Sequence, residues 1–530
     1  MADPIPSGGA PSVSSSASWR QWISADLRSY WPLWLIVSIA LVTRFYELDR
    51  VPGVQGDEAW YGVQALDLLH GRGGELRTPT GNVPGLLHGG ALVLLHSLFP
   101  PSLWLLRLPA LISSLAAMAG AYAIGRRFFG PVAGMTALVL MACLPINLAY
   151  ARFGWDPSQL PLLILLATYC ALAGRRLLAA LLFAFAISNH PSAVFAGPFL
   201  LLAYLGVQRD RLPLREALFR TALLAAVLAA AILLALMLSA GAGSYLDASK
   251  SLVRLLDPFL WGQLGMGFAR LLSGDTIYRY VVGEGYGGTG PWIDLATVLV
   301  LVATLVAGLV LAIRKFDWTV AGLVAGWVAS LAGLYIVAGL WTLQPGLERF
   351  GFALVPVTVL AIAAVVGRHV EVERVRPLFQ PLLAAVAIPL LAGFWLCYLR
   401  PLDSGEARPK PGSWTGPVDP NRLAVETIAR AAAGSAGNVR VIAGGWWIYW
   451  PPAHYAEGKP LKIVNADGRV PPVDSESFRS GTYWIAYGGG PLGQALAQRE
   501  MDARRWKVAT SNRHNYLQIW WTPPPQAKAR

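Results

Sequence analysis

Nine apolar runs, each close to 20 residues long, constrain what this 530-residue chain can fold into. An α-helix of about 20 apolar residues crosses the hydrocarbon core of a bilayer. Hydrophobic residues make up 55% of the chain and charged residues 14%, against roughly 25% in a soluble domain. The sequence therefore predicts a mainly α-helical polytopic membrane protein and excludes a soluble enzyme or a disordered chain. The runs lie at 29–46, 103–125, 131–149, 158–174, 218–240, 292–313, 318–340, 350–367 and 377–398.

Basic residues cluster in alternate loops, and this pattern predicts the orientation of the chain. Cytoplasmic loops carry an excess of Lys and Arg. The apolar tract 177–206 has basic residues at both ends, so we expect it to cross twice and to turn at 189–191. This gives about 11 spans, with the N-terminus inside and the C-terminus outside. The net charge of +13 is spread over these short loops, which argues against a nucleic-acid partner.

A second apolar tract, 84–100, leaves two topologies open. If it crosses the bilayer, the loop before it faces the cytoplasm; if it lies in the interface, that loop faces outward. Its residues His88, Gly89, Gly90 and His96 favour an interfacial helix. The outer face then receives the following segments: 47–102, 150–157, 189–191, 241–291, 341–349 and everything after about 400.

The two ends of the chain differ in composition from the apolar part. Residues 1–28 are predicted to be a disordered cytoplasmic tail, because they begin with a Ser-, Gly- and Pro-rich stretch. Residues 401–530 begin with a Pro- and Gly-rich linker and continue with one helical and four strand-like segments, which predicts a small α/β domain. This domain contains an aromatic cluster that is either core and membrane belt or a wall facing a sugar or lipid: Trp446, Trp447, Tyr449, Trp450 and Tyr455.

Four groups of polar residues lie in the outer segments of the predicted topology. A carboxylate can act as a general base or a metal ligand, and Arg suits a lipid phosphate. Each group alone also has a structural interpretation; Asp57 and Glu58, for example, would suit the acidic first turn of a helix. Together, on one face of a membrane protein, they indicate a site for an anionic lipid and an acceptor that must lose a proton. The groups are Asp57-Glu58 with Tyr61, Arg152 with Asp156, Asn189-His190, and Glu348-Arg349.

The segment Gly56-Asp57-Glu58-Ala59-Trp60-Tyr61-Gly62 resembles the Asp-Glu-Ala-x-Tyr signature of the protein O-mannosyltransferase superfamily, which includes the lipid A aminoarabinose transferases. The resemblance covers about residues 40–200 and consists of an ordered series of short motifs. The further motifs are Asp67-Leu68-Leu69-His70-Gly71, Pro84–Leu87, Leu106-Arg107-Leu108-Pro109-Ala110, Gly125-Arg126-Arg127-Phe128-Phe129-Gly130, and Ala149-Tyr150-Ala151-Arg152 with Asp156.

The resemblance implies a C-type (GT-C) glycosyltransferase fold. It also implies a sugar donor linked to a polyprenyl phosphate such as undecaprenyl phosphate, and reaction on the extracytoplasmic side. The protein would lie in the bacterial inner membrane, with residues 47–102, 241–291 and 401–530 in the periplasm and 29–400 as the transmembrane domain. The helix after the Asp-Glu motif would be juxtamembrane. The acceptor would be lipid A or lipopolysaccharide, another envelope glycolipid, or a protein.

The resemblance also implies roles for individual residues. Asp57 matches the proposed catalytic base, Glu58 is its motif partner, and Asp156 matches an acidic residue of the second outer turn. Arg349 lies where a basic residue could hold the lipid phosphate. Relatives often carry Lys where this chain has Asn189-His190, and neutral His holds phosphate less well. Tyr61 and Arg152 complete the predicted substrate-binding set.

A single displacement assisted by one base would invert the anomeric carbon. A divalent cation, Mg²⁺ or Mn²⁺, held by Asp57, Glu58 or Asp156 could assist the departing phosphate. Two alternatives to a transferase remain open at this point: a lipid-linked sugar flippase or transporter, and a non-catalytic scaffold on the same fold. A transporter is disfavoured because the two halves of the chain show no matching hydropathy.

Overall fold

The structure is a computed structural model. It describes the following residues: 19–74, 85–238, 258–283, 291–339, 343–370, 376–407, 419–434, 439–466, 481–487, 490–498, 504–507 and 517–522. The described part is mainly helical up to residue 404 and mixed α/β after residue 419.

Nineteen α-helices precede the C-terminal domain within the described residues. Pro145 separates α6 from α7 because a proline cannot donate the backbone hydrogen bond that would continue the helix. The helices are α1 (Trp19–Ser29), α2 (Trp31–Phe45), α3 (Gly56–Leu69), α4 (Leu86–Leu98), α5 (Leu103–Ile124), α6 (Pro131–Cys143), α7 (Pro145–Tyr150), α8 (Leu160–Leu172), α9 (Arg176–Asn189), α10 (Gly197–Arg209), α11 (Leu214–Leu238), α12 (Pro258–Ser273), α13 (Asp275–Val281), α14 (Pro291–Lys315), α15 (Trp318–Ala338), α16 (Glu348–Phe352), α17 (Val355–Val370), α18 (Arg376–Phe394) and α19 (Arg400–Ser404).

Seven of the described helical segments are long and apolar enough to cross a membrane, or eight if the bent pair α1 and α2 counts as one. Three shorter apolar helices, α6, α8 and α9, lie at other predicted spans. The helices α11 and α14 leave large apolar side chains such as Leu233 and Leu299 exposed, as expected where lipid covers a surface. The protein is thus a multi-pass membrane protein, and the number 11 stays a prediction.

The second ambiguous tract forms α4. A Cβ on Gly85, just before α4, would lie 2.3 Å from the Cβ of Asp156. A Cβ on Gly154, in the same turn, would lie 2.3 Å from the carbonyl oxygen of Leu106, in the first turn of α5. The start of α4 and the first turn of α5 therefore lie beside one turn. The interfacial placement of tract 84–100 stays a prediction.

The predicted disordered tail is wrong for residues 19–28, which belong to helix α1. Asp26 is buried on the inner side of this helix, where it accepts hydrogen bonds from the Tyr122 hydroxyl at 2.6 Å and the Arg126 Nε at 3.0 Å. The helix α1 meets α2 at a bend of 106°. These contacts stabilise α1, and the composition of the segment does not reveal them. Residues 1–18 lie outside the described residues.

The C-terminal domain is a five-stranded mixed sheet with helices on both faces. The strand order is β2-β1-β3-β5-β4; β1 is parallel to β2 and β3, and β5 is antiparallel to β3 and β4. The helices α20 and α21 pack on one face of the sheet and α22 on the other. This confirms the predicted α/β domain. Its elements are α20 (Pro420–Ala431), β1 (Val439–Ala443), α21 (Trp446–Ala456), β2 (Leu461–Asn465), β3 (Thr482–Tyr487), α22 (Pro491–Gln498), β4 (Arg504–Lys507) and β5 (Leu517–Thr522).

The C-terminal domain is bound to the first outer loop through buried polar contacts. The Asp419 carboxylate accepts hydrogen bonds from the backbone N–H of Val54 and the Tyr455 hydroxyl, both at 3.0 Å. The helix α21 packs along α3. The domain therefore covers the helix that carries Asp57.

Candidate active site

Asp57 lies in the first turn of α3, half-buried between the membrane domain and the C-terminal domain. Its Oδ1 accepts a hydrogen bond of 2.8 Å from the indole N–H of Trp446. Burial raises the pKa of Asp57, while the charge of Arg349 and the Trp446 bond lower it. Asp57 is thus a carboxylate with a cation and a fixed donor close by.

Glu58 points away from Asp57 and is fully buried. Its two oxygens accept hydrogen bonds of 2.8 and 3.1 Å from the Arg107 guanidinium. Oε1 also accepts a hydrogen bond of 2.9 Å from the Gly154 N–H. Arg107 in turn donates to the carbonyls of Leu48 and Pro52. The Glu58 carboxylate therefore holds the first outer loop against the turn that precedes α8.

Arg152 is also separate from the Asp57 cluster. Its guanidinium has no exposed surface and donates only to backbone carbonyls of the end of α2 and the loop that follows it. A buried cation is stable only where its donors are satisfied. Arg152 therefore fixes the path of the chain from α2 to α3. The carbonyls are those of Thr43, Arg44, Tyr46, Glu47 and Val51.

Asp156 lies in the outer turn before α8, and its chain segment is held by Asn189, whose Nδ2 donates to the Asp156 carbonyl at 2.7 Å. Burial raises the pKa of Asp156 to about 7; the hydrogen bond from Tyr61 lowers it and the nearby Asp57 raises it. A larger residue would not fit at Gly85, because its Cβ would lie 2.3 Å from the Cβ of Asp156. Two carboxylates thus lie close enough to influence each other's titration.

Tyr61 connects α3 to the Asp156 turn. Its hydroxyl accepts a hydrogen bond of 3.0 Å from the Gly85 N–H and lowers the pKa of the Asp156 carboxyl. Its ring meets the His88 ring edge-on, with centroids 5.1 Å apart. Because Asp57 and Tyr61 are four residues apart on α3, they present neighbouring side chains on one face of the helix.

Arg349 lies in the short helix α16, which precedes α17, and Ser192 holds its backbone. The Ser192 hydroxyl donates to the Arg349 carbonyl at 3.2 Å, and His190 Nδ1 lies 2.8 Å from the same hydroxyl. The Arg349 guanidinium lies 5.3 and 6.0 Å from the ring centroids of Phe350 and Trp155. Its charge lowers the pKa of Asp57, Asp156 and His190, and Trp155, whose ring it faces, directly precedes Asp156 in the chain.

His190 is neutral at physiological pH in this setting. Burial lowers its pKa to about 3, and the charge of Arg349 adds to this effect. A neutral imidazole offers at most one N–H to a phosphate. The positive charge of the cluster therefore comes from Arg349.

Two residues of the cluster were not predicted from the sequence to lie near Asp57. Tyr280 of α13 lies close to Asp57 and Arg349; burial and the charge of Asp57 raise its pKa. Nothing in its sequence neighbourhood distinguishes it. Trp446 was named as one of an aromatic set with two interpretations, and the contact with Asp57 was missed.

The three acidic residues predicted as metal ligands do not converge, because Glu58 faces Arg107. Within the described ranges, no group of three or more His, Cys, Asp or Glu residues is arranged to hold a metal ion. The Asp57 and Asp156 pair would need further ligands from a substrate to hold a cation.

Comparison with known proteins agrees with this architecture. Residues 86–239 match the family model described as dolichyl-phosphate-mannose-protein mannosyltransferase. Two similar solved structures are those of ArnT from Cupriavidus metallidurans, one bound to undecaprenyl phosphate and one in the apo state. Each has a TM-score of 0.54 and 15% sequence identity, and the match covers 92% of this chain and 97% of ArnT. A comparison with curated protein sequences gave no match.

These matches define the class of fold. The chain has the fold of the GT-C glycosyltransferase superfamily, and the resemblance predicted from the sequence is confirmed at that level. In that fold, the segments that carry Asp57, Asp156, His190 and Arg349 meet at the end of the bundle covered by the C-terminal domain.

Proposed function

We propose that this protein is a membrane glycosyltransferase that moves a sugar from a polyprenyl-phosphate donor to an acceptor at the periplasmic face of the bacterial inner membrane. The observation that carries the proposal is the meeting of Asp57 and Asp156 with Arg349 beneath the C-terminal domain. A carboxylate beside a guanidinium meets two needs of such a reaction, deprotonation of a hydroxyl and stabilisation of a phosphate.

The reaction breaks the bond between the anomeric carbon and the phosphate oxygen of the donor. The acceptor hydroxyl attacks that carbon from the opposite side, its proton passes to Asp57, and the polyprenyl phosphate leaves with the electron pair of the broken bond. One displacement inverts the anomeric configuration. Arg349 would stabilise the charge that develops on the phosphate, since its planar fork fits two phosphate oxygens.

The donor class has support from two independent sources. The description of the matching family model names dolichyl-phosphate-mannose, and a solved structure of similar fold holds undecaprenyl phosphate. Both are polyprenyl phosphates. The acceptor of this chain would be a hydroxyl of a lipid or protein that reaches the outer face of the membrane.

The remaining predicted site residues divide into two groups. Tyr61, Asn189 and His190 hold the Asp156 turn and the Arg349 segment in place, and we propose that they line the substrate site. Glu58 and Arg152 are fully buried and bonded within the protein, so we propose structural roles for them.

Transfer of a labelled sugar by the purified protein tests this function. The protein would be placed in vesicles with a labelled polyprenyl-phosphate sugar and a membrane extract as acceptor. A transferase releases unlabelled polyprenyl phosphate and labels an acceptor. A flippase moves the label across the vesicle membrane but leaves it on the donor, and a scaffold does neither; either result would refute the proposal.

A further inference from the structure

The C-terminal domain contributes a side chain to the candidate active site. Trp446 is the first residue of α21, and its indole N–H donates to Asp57 Oδ1 at 2.8 Å. The two residues are separated by 389 positions in sequence. The aromatic cluster of the C-terminal domain therefore also supplies a hydrogen-bond donor to Asp57.

Neighbouring aromatic rings fix the orientation of Trp446. The Trp60 ring stacks on it with centroids 6.4 Å apart and an interplanar angle of 29°, and the Trp450 ring meets its edge at 5.4 Å. Gly56 leaves room for this arrangement, since a Cβ there would lie 2.9 Å from the Trp446 ring and 2.8 Å from that of Trp447. The indole is thus held on several sides while its N–H points at Asp57.

We propose that Trp446 is a positioning residue for transfer: it holds Asp57 through Oδ1, so that Oδ2 faces the acceptor hydroxyl. This inference rests on the proposed function of Asp57 as the base. A general base must be within hydrogen-bond reach of the proton that it accepts, and rotation of a free carboxylate would weaken that alignment. Fixing one oxygen leaves a single orientation for the other.

The bond also affects the ionisation of Asp57. An N–H that donates to a carboxylate favours the charged form. Burial of Asp57 opposes that form, and Arg349 supports it. The other titratable groups near the carboxylate are Asp156, Tyr61 and Tyr280. Removing the Trp446 N–H therefore leaves Asp57 harder to ionise, and activity should need a higher pH.

Two substitutions separate donation from packing. Trp446→Phe keeps an aromatic ring and removes the donor. Trp446→His removes the six-membered ring but keeps an N–H, because imidazole Nε2 occupies the same place relative to Cβ as indole Nε1. Trp450→Phe is the matched control: it keeps an aromatic ring beside Trp446 and removes an indole N–H that has no hydrogen-bond partner among the described residues.

The measurement is the pH profile of kcat/KM for sugar transfer. For Trp446→Phe, we expect the acid limb to move to higher pH by about one unit, and turnover below that limb to fall about tenfold. Trp450→Phe should keep the acid limb of the wild-type protein. Trp446→His, whose imidazole itself titrates in the acid range, should keep more turnover at neutral pH than Trp446→Phe. If the Trp446→Phe profile does not move, or if Trp446→His is the more damaged variant, the ring acts by packing and the proposal is overturned.

A double variant keeps the test informative if Trp446→Phe is poorly folded. On the background of Asp57→Asn, loss of the donor should not lower the residual rate further, whereas loss of structure should. Failure of the inference is distinguishable from failure of the proposed function. In the first case the wild-type protein transfers sugar and Trp446→Phe shares its profile; in the second the wild-type protein transfers none.

Discussion

Glu58 and Arg107 form an ion pair in which neither side chain has exposed surface, with Oε1 of Glu58 2.8 Å from Nε of Arg107. Asp57, one residue earlier, is half-buried and faces Arg349 and Trp446 instead. Neighbouring residues of an α-helix are rotated by about 100° from each other, so an adjacent acidic pair can serve two separate environments. The pair Asp57-Glu58 therefore combines a site residue with a structural one.

Glu58→Gln should destabilise the protein. The change leaves the Arg107 charge buried without its counter-charge, and breaking a buried pair costs about 3–5 kcal/mol. We expect the apparent Tm in detergent to fall by several degrees. Asp67→Asn on the same helix is the control, because the Asp67 pair with Arg72 is exposed to solvent. Equal melting temperatures for Glu58→Gln and the wild-type protein would contradict the structural role.

Asp57→Asn should abolish most transfer and leave folding intact. The amide is nearly the same size as the carboxylate and can still accept the Trp446 hydrogen bond, but it cannot take a proton at neutral pH. Loss of a general base typically lowers a rate by ~10²–10⁴. The rate of labelled-sugar transfer and the melting temperature are measured together. Near-normal turnover would make Asp57 a residue of the helix start and Asp156 the better base.

Arg349→Ala should weaken donor binding. The Ser192 contact is to the Arg349 backbone, so truncation of the side chain leaves that contact in place. Loss of one charged partner of a phosphate costs about 2–5 kcal/mol, which is at least about 30-fold in affinity. Arg349→Lys should recover part of the loss. Titration with the polyprenyl-phosphate sugar measures this, and unchanged affinity and turnover in Arg349→Ala would leave Arg349 as a membrane anchor.

Asp156 should make the stability of the protein depend on pH. Its pKa is about 7 in the folded protein and about 3.9 in an unfolded chain. Between these values the folded state binds the extra proton, so this contribution to stability is present below pH 4 and is lost as the pH rises through 7. Each pH unit in this range changes the free energy of unfolding by up to about 1.4 kcal/mol.

Comparison of Asp156→Asn with the wild-type protein isolates this effect. The asparagine cannot titrate, so the variant should gain stability relative to wild type as the pH rises from 4 to 7. Melting temperatures across that range measure the difference. A constant difference would mean that Asp156 is ionised throughout.

A reporter enzyme should place the C-terminal domain in the periplasm. Alkaline phosphatase is active only on that side of the inner membrane, so a fusion after residue 530 should be active. The matched fusion after Lys315, in a loop predicted to be cytoplasmic, should be inactive. Activity of the second fusion alone would reverse the topology and remove the proposed site from the periplasm.

The sequence predicts well those features of the fold that depend on local patterns of residues. Apolar runs of the length of a bilayer predict the helices, and short β-rich runs predict four of the five described strands. The strand Arg504–Lys507 was missed because its four residues include three cations and do not alternate. The roles of Glu58 and Arg152 depend on partners 49 to about 109 positions away, which no local pattern reveals.

The docking of α21 on α3 has a consequence for the biosynthesis of the protein. Asp57 is made early and, in the predicted topology, reaches the outer side of the membrane with the first loop. Its hydrogen-bond donor, Trp446, is translated 389 residues later and reaches that loop only after the intervening membrane helices. A ribosome-bound or truncated chain that lacks the C-terminal domain would therefore have Asp57 without its hydrogen bond from Trp446. Only a chain that includes the C-terminal domain would have the assembled centre, so the proposed transfer would begin only after that domain has been made and docked.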